Sequence, residues 1–443
     1  MALGFMYYTA NTEASQKEGD EMRRPLYTKI IALLAALIFI IIAITSCTDK
    51  GTGDGEIPAD GVEYKSTTNS GDYMYAMIND TVVYFDVFDS DNKYYACSNP
   101  LCQHQDNSCP AFCLGSFNLL IIDPEERTLP LIYMFGRNEN SIYKDGVKVE
   151  NPKAQLMVIK EFDMSTNTGR IVTDEFPYRG TTNRFYYNGV IYCTAVDGED
   201  MGRIVSINVK TGEFRQLDYD LSASVIGIYD GYLYFNNYKS MLLRCDLKLS
   251  KYEEVYDCKT GFLRRGAISP FARIDGNYIY FESNSREAVQ NRELGNTVIS
   301  DIYRLNLDNI KEGAELMVEE VYSFYPYNGD LYYTHWDFKS YGELNTTSGR
   351  ALVCSKTGGT LYKYDTKTNT SSVFIEDCGA DFDNIYEFND KFILFTGLHY
   401  DDIETLGEDE LYIWGFAMLN MYRFDTGKYE IIIESLVGNI EIK

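Results

Sequence analysis

FYYNGVIYCTA, residues 185–195, is the stretch that decides the fold. Asn188-Gly189 supplies two consecutive residues that tolerate positive φ, as a two-residue hairpin turn demands, and the aromatic and β-branched residues on either side alternate as a pair of short strands. The same unit recurs as IYDGYLYFNN (228–237), RIDGNYIYFES (273–283) and PYNGDLYYTHW (326–336), with weaker copies MINDTVVYFDV (77–87) and EFNDKFILFTG (387–397). Downstream of the four strong copies and of the weak copy at 387–397 comes a second strand pair with its own turn: RIVSINVKTGEF, LLRCDLKLSKYEEV, IYRLNLDNIKEGAEL, LYKYDTKTNTSSVF and MYRFDTGKYEIII, with an earlier relative in VIKEFDMSTNTGRIV. The central Asp or Asn of this second element falls at Asp163, Asn208, Asp246, Asn306, Asp365 and Asp425, at intervals of 45, 38, 60, 59 and 60 residues. Four short antiparallel strands per unit, repeated at a loose period, predict a β-propeller, because no single unit buries both faces until its neighbours stack on it. A Cys-rich segment near Cys97 is expected to replace the second strand pair of the first unit. That gives seven blades, with six or eight as the alternatives.

Composition agrees with an all-β reading. The chain has 443 residues, 38 of them Tyr against 10 Pro, and aromatic side chains fit a pleated surface. With 66 acidic and 40 basic side chains the net charge is -26, and no basic cluster occurs outside the N-terminus. A nucleic-acid partner is excluded on that balance, since phosphate binding needs clustered Lys and Arg.

The N-terminus carries an address. Residues 30–44 read IIALLAALIFIIIAI, short for a membrane span and suited to a signal-peptide apolar region, behind the basic MRRPLYTK. Ile44-Thr45-Ser46-Cys47 resembles a bacterial lipobox, with Cys47 as the acylated residue, followed by a Gly/Asp-rich tether. Two acyl chains suffice for stable anchoring. Residues 1–21 fit neither a signal peptide nor a domain, and Lys17-Glu18-Gly19 can be encoded by a ribosome-binding sequence just before Met22. The expected organisation is therefore a mis-assigned start at 1–21, a lipoprotein signal peptide at 22–46, a tether at 47–60 and a β-propeller at 61–443. Residues 1–46 hold four acidic and four basic side chains, so the exported part keeps the whole -26.

The one dense chemical constellation is CSNPLCQHQDNSCPAFC, residues 97–113. Three thiolates and an imidazole at Cys97, Cys102, His104 and Cys109 match the four N/S ligands of a closed structural zinc site. Disulfides among Cys97, Cys102, Cys109 and Cys113 are the competing reading for an exported protein. With Cys47 acylated nine cysteines remain, so they cannot all pair within the chain. Cys193 reads as a buried hydrophobe, and Cys245 and Cys258 flank a predicted turn across which they could face each other. Catalytic patterns are thin. The chain has three His, no Gly-x-Ser-x-Gly and no P-loop. The acidic run from Asp401 to Glu410 reads as a solvated loop, and Asp86, Asp89 and Asp91 lack the Gly and distal Glu of an EF-hand.

The Asn/Asp-Gly strands followed by Φ-Tyr-Arg/Lys-Φ-Asp strands resemble the propeller family DUF5050, akin to the low-density-lipoprotein-receptor-related propellers, and the Cys segment resembles one in surface lipoproteins of anaerobic Gram-positive bacteria. LYYTHWD at residues 331–337 is the nearest approach to that family's Tyr-Trp-Thr-Asp strand, and the likeness spans roughly residues 70 to 440. The resemblance implies a propeller; with the lipobox and the loops that a propeller gathers at its ends, the expectation is a lipid-anchored module on the outer face of the cytoplasmic membrane that binds a carbohydrate, peptide or protein ligand. The long insertions at 283–297, 339–359 and 398–414 are expected to line its site. A propeller enzyme cutting extracellular carbohydrate through paired carboxylates is the alternative.

Overall fold

The computed structural model describes residues 69–431, apart from 71–72, 87, 117, 123–128, 139–140, 145–146, 155, 200, 238–240, 259–271, 285–299, 336, 338, 347–348, 356–357, 383 and 398–418. Everything predicted for residues 1–60, Cys47 included, and for the acidic run at 401–410 lies outside the described residues.

Every sheet is antiparallel with its strands in sequence order, two of the sheets being interrupted by a separate hairpin. The first holds β1 (Asn69–Ser70), β2 (Tyr73–Ile78), β3 (Thr81–Asp86) and β4 (Asp89–Tyr95). The second is β5 (Asn118–Ile122) and β6 (Leu131–Arg137), then, past a separate hairpin of β7 (Ser141–Lys144) and β8 (Val147–Glu150), β9 (Met157–Asp163) and β10 (Thr168–Phe176). The third is β11 (Gly180–Tyr187), β12 (Val190–Val196), β13 (Gly202–Asn208) and β14 (Phe214–Gln216); the fourth is β15 (Ala223–Tyr229), β16 (Tyr232–Asn237), β17 (Met241–Asp246) and β18 (Tyr252–Asp257). A seven-stranded sheet follows in the order β19 (Ala272–Asp275), β20 (Tyr278–Asn284), β21 (Ser300–Asn306), β22 (Glu315–Tyr327), β23 (Asp330–His335), β26 (Leu361–Asp365) and β27 (Thr370–Ile375). It carries a hairpin of β24 (Lys339–Thr346) and β25 (Gly349–Ser355) as an insertion. The last sheet is β28 (Asn384–Phe388), β29 (Phe392–Thr396), β30 (Leu419–Arg423) and β31 (Lys428–Ile431). No α-helix occurs among the described residues.

The sheets stack radially. β5, β11, β15, β19, β22 and β28 each contact the first strand of the preceding run, which places the first strands around a common axis as in a β-propeller. Arg423 stands 4.6 Å over the ring of Phe88 and Lys391 6.0 Å over the same ring, so the last sheet lies against the first. Five four-stranded blades are formed outright. In the seven-stranded sheet β22 changes partner midway: Glu315, Leu316 and Val318 pair with β21, and Ser323–Tyr327 with β23.

This stacking explains why the strands read as nearly continuous apolar runs. On β6, Ile132 and Met134 enter the core shared with the first sheet, while Tyr133 and Phe135 enter the core shared with the third. Tyr192 and Cys193 part in the same way, Cys193 being fully buried. Both faces of each blade are interior, so the alternation that predicts half-buried strands separates two cores rather than core from water.

The repeated motifs have defined structural tasks. Asn188 and Gly189, Asp230 and Gly231, and Asn328 and Gly329 all have positive φ in the turns that join first to second strands. The recurring Asp or Asn ends the third strand and caps the next turn. Asp246 accepts from the amides of Lys248 (2.8 Å) and Ser250 (3.1 Å), Asp365 from those of Lys367 and Thr368, and Asn208 from those of Lys210 and Thr211. The Arg before it clamps the fourth strand, as in Arg304 to Glu315 (3.0 Å) and Arg423 to Glu430 (3.2 Å). Substituting Asp246→Ala is expected to cost about 1 kcal/mol by leaving two turn amides to water, read as a lowered urea midpoint at unchanged slope.

Three sequence expectations are corrected. The first sheet has four strands of its own, so the Cys segment is the connection from β4 to β5 rather than a substitute strand pair. The weak copy at 77–87 is displaced by one strand: Asn79-Asp80 joins β2 to β3, second to third, because β1 precedes it. Cys245 and Cys258 do not face each other. Cys245 pairs with Tyr252 and packs toward the third sheet, whereas Cys258 lies beyond the far end of the hairpin, past the Met241–Asp257 pair, and packs toward β19–β21.

Candidate metal centre

The connection from β4 to β5 folds back on itself through two side-chain-capped turns. Asn99 accepts from the amide of Leu101 (3.0 Å), and its carbonyl accepts from that of Cys102 (3.1 Å); Asp106 repeats the arrangement with Ser108 (2.8 Å) and Cys109 (3.0 Å). Each turn therefore ends on a cysteine. That spacing, Asx three residues before Cys, is the sequence signal the cysteine count alone misses.

His104 sits between the two turns in the left-handed region, at φ 55°. The Thr81 hydroxyl donates to its carbonyl at 2.7 Å, and Tyr95 stacks on its imidazole with ring centroids 3.9 Å apart. These contacts hold the ring so that Nδ1 lies 3.5 Å from Cys109 Sγ. The ligand atoms of Cys97, Cys102, His104 and Cys109 all lie within 4.8 Å of one another. A tetrahedral ion with bonds of about 2.3 Å spaces its ligand atoms by roughly 3.8 Å, so closing the set takes about an ångström of side-chain adjustment.

The electrostatics suit a cation. Burial pushes the Cys109 thiol up to about 12, and the neighbouring thiols of Cys97 and Cys102 push the same way. A divalent ion reverses that order, since a coordinating thiol is deprotonated outright. Burial also lowers the pKa of His104, which favours the neutral imidazole that ligates. Cys97, Cys102, Cys109 and Cys113 are free thiols. Three soft sulfurs and one nitrogen, with no position left open, form a group that could hold a metal ion and would make it structural rather than catalytic.

The loop is fastened to both neighbouring sheets. Val82 donates its amide to Ala111 O (3.0 Å) and Cys113 donates to Asp80 O (2.8 Å), while Ser98 donates to Asn167 Oδ1 of the second sheet (3.1 Å). Cys97, Cys109, Ala111, Phe112 and Cys113 pack with Ile132, Met134 and Phe162 in one core. Cys113, the remaining member of the expected disulfide set, is buried against Gly136, where an added Cβ would come within 2.6 Å of its sulfur. It stands outside the four-ligand group.

Elsewhere the site residues weighed from sequence have ordinary tasks. Asp86 accepts from the amide of Phe88 in a strand-end turn, and His335 Nδ1 lies 3.0 Å from Glu320 O. An open groove of about 500 Å³ runs between β10 and residues 211–214, but its Asp174 and Glu175 are ion-paired with Lys153. Of the three long insertions, 339–355 is the β24–β25 hairpin. The connections at 285–299 and 398–418 lie outside the described residues.

No family model matches the chain, and no curated protein matches it. Solved structures that resemble it include a puromycin hydrolase S511A mutant complexed with PGG (9% identity, TM-score 0.43, covering 88% of this chain and 56% of that one). A puromycin-hydrolyzing peptidase of Mycobacterium tuberculosis (13%, TM-score 0.40, 87% and 55%) and the tricorn protease (13%, TM-score 0.38, 82% and 39%) are similar at the same level. The chain spans about half the length or less of these three proteins.

Proposed function

We propose that the chain is an exported, lipid-anchored β-propeller that presents one rim as a ligand-binding or protein-interaction surface on the outer face of the bacterial cytoplasmic membrane, with zinc held by Cys97, Cys102, His104 and Cys109. The seven-stranded sheet counts as two blades run together through β22, which makes seven. The DUF5050-like strand pattern and the lipobox at Cys47 support the family and the address.

One observation carries the binding reading. The six longest connections, 96–117, 138–156, 258–271, 285–299, 336–360 and 397–418, all join a second strand to a third or a fourth strand to the next first strand. In an antiparallel blade those two kinds of connection leave from the same end. The opposite end carries the Asn-Gly and Asp-Gly turns and the Asp-capped turns. Length concentrated on one rim of a rigid scaffold is how recognition loops are displayed.

Two measurements test this. Cys47→Ala is expected to move the protein from the membrane fraction to the medium and to abolish labelling by a fatty-acid analogue; membrane retention of the variant overturns the anchor. For the rim, wall polysaccharide from the producing cell is immobilised and the full chain passed over it, with and without the 339–355 hairpin. Retention that the deletion abolishes, with no change in polysaccharide length, supports a binding module. Shortened polysaccharide overturns it in favour of an enzyme.

A further inference from the structure

Lys160, on β9 of the second sheet, is buried, 7% exposed. Its ammonium donates to two carbonyls of the Cys loop, Cys109 O at 2.9 Å and Phe112 O at 2.7 Å. No carboxylate lies within ion-pair distance of it among the described residues. Asp80, in the β2–β3 turn beside the loop, accepts instead from the Gly115 amide at 2.9 Å, and the loop's own Asp106 accepts from the Ser108 amide at 2.8 Å. Gly169 makes the room: a Cβ there would come within 3.1 Å of Lys160 Cε and 2.9 Å of Pro110 O. A buried ammonium bonded only to carbonyl oxygens, with the thiols of Cys113, Cys109 and Cys97 as its ionisable neighbours, is costly unless one or more of those sulfurs carries a negative charge. The second sheet thus delivers a positive charge with no carboxylate partner to the backbone of Cys109.

We propose that Lys160 is the counter-charge of the metal centre: a divalent ion with three thiolates and one neutral imidazole carries a single negative charge, which this ammonium balances, fixing the ligand set at Cys97, Cys102, His104 and Cys109 with Cys113 outside it. The inference rests on the zinc reading above. It also explains why the site lies at a blade junction. The ligands come from one sheet's connection and the balancing charge from the next, so binding the ion draws the two sheets together. A fourth thiolate would leave a charge that one lysine does not match. Lys160 is a positioning residue in this scheme, holding the Cys109 carbonyl while its charge stabilises the thiolates.

The test uses the full chain purified in detergent, loaded with Zn²⁺ for affinity by chelator competition and with Co²⁺ for thiolate-to-metal charge-transfer absorption. Lys160→Met is expected to lower zinc affinity roughly 10- to 100-fold, as removal of an outer partner does, and to weaken the charge-transfer band. Lys160→Arg is expected to restore both. Cys113→Ala is expected to leave metal stoichiometry and the band unchanged, which keeps the proposal open to refutation even if Lys160→Met fails to fold. Equal affinity and band in wild type and Lys160→Met overturn the counter-charge role alone. A band that falls on Cys113→Ala overturns the three-thiolate set. A wild-type chain that binds neither ion overturns the zinc reading itself.

Discussion

Stripping the proposed zinc from the full chain with a chelator is expected to lower its melting temperature by roughly 8 to 16 °C, and adding zinc back should restore it. The size follows from mass action. An ion that binds only the folded state at a thousand times its dissociation constant adds about 4 kcal/mol, and for large domains each kcal/mol is worth roughly 2 to 4 °C. The blades keep their cores without the ion, so melting should shift rather than vanish. Cys109→Ala should behave as chelated wild type and no longer respond to zinc, because it removes one of the four grouped ligand atoms, a sulfur buried at the end of the second capped turn. Calorimetry with chelator and reductant applied separately decides the chemistry. A melting point indifferent to chelator but lowered by reductant would mean that the loop is stapled by disulfides.

Phe162→Ala should be the most damaging single truncation near the loop, costing about 3 to 5 kcal/mol. Phe162 is wholly buried on β9 and packs in the core that contains Cys97, Cys109 and Cys113. The loop above it is tied by hydrogen bonds to both sheets and cannot settle into the space left behind. Ile171→Ala on the neighbouring strand, 60% exposed, is expected to change stability by less than about 0.5 kcal/mol. Urea midpoints for the pair give the comparison, and similar values for both would mean that this interface is not tightly packed.

The repeating unit was legible because its signals are local. An Asn-Gly or Asp-Gly pair with positive φ, a strand-ending Asp that caps its own turn, and an Arg or Lys that reaches the fourth strand all act within one hairpin, so the sequence at Asp246 or Asn328 carries its own explanation. The grouping of Cys97, Cys102, His104 and Cys109, which could hold a metal ion, was legible for the same reason. Features that depend on partners distant in sequence were not. Nothing around Lys160 announces that it meets Cys109, 51 residues away. Cys245 and Cys258 looked like neighbours because a hairpin was read without its faces, and the faces are set by which sheets flank it. At Asn79-Asp80 the turn chemistry was right and the strand number wrong, since β1 lacks the Tyr-rich pattern that marks the other strands.

The contact between the last sheet and the first gives the ring an order of mechanical failure. In each sheet the strands follow in sequence order, and across that contact Arg423 and Lys391 stack on Phe88. Around the rest of the circle, β22 is a continuous backbone splice and the Cys loop a hydrogen-bonded strap. A pull from the proposed lipid anchor would reach the described sheets at β1, which is held to β2 by two residue pairs. Tension applied there would part the ring beside Phe88 first, leaving the strapped pair of sheets and the spliced pair intact.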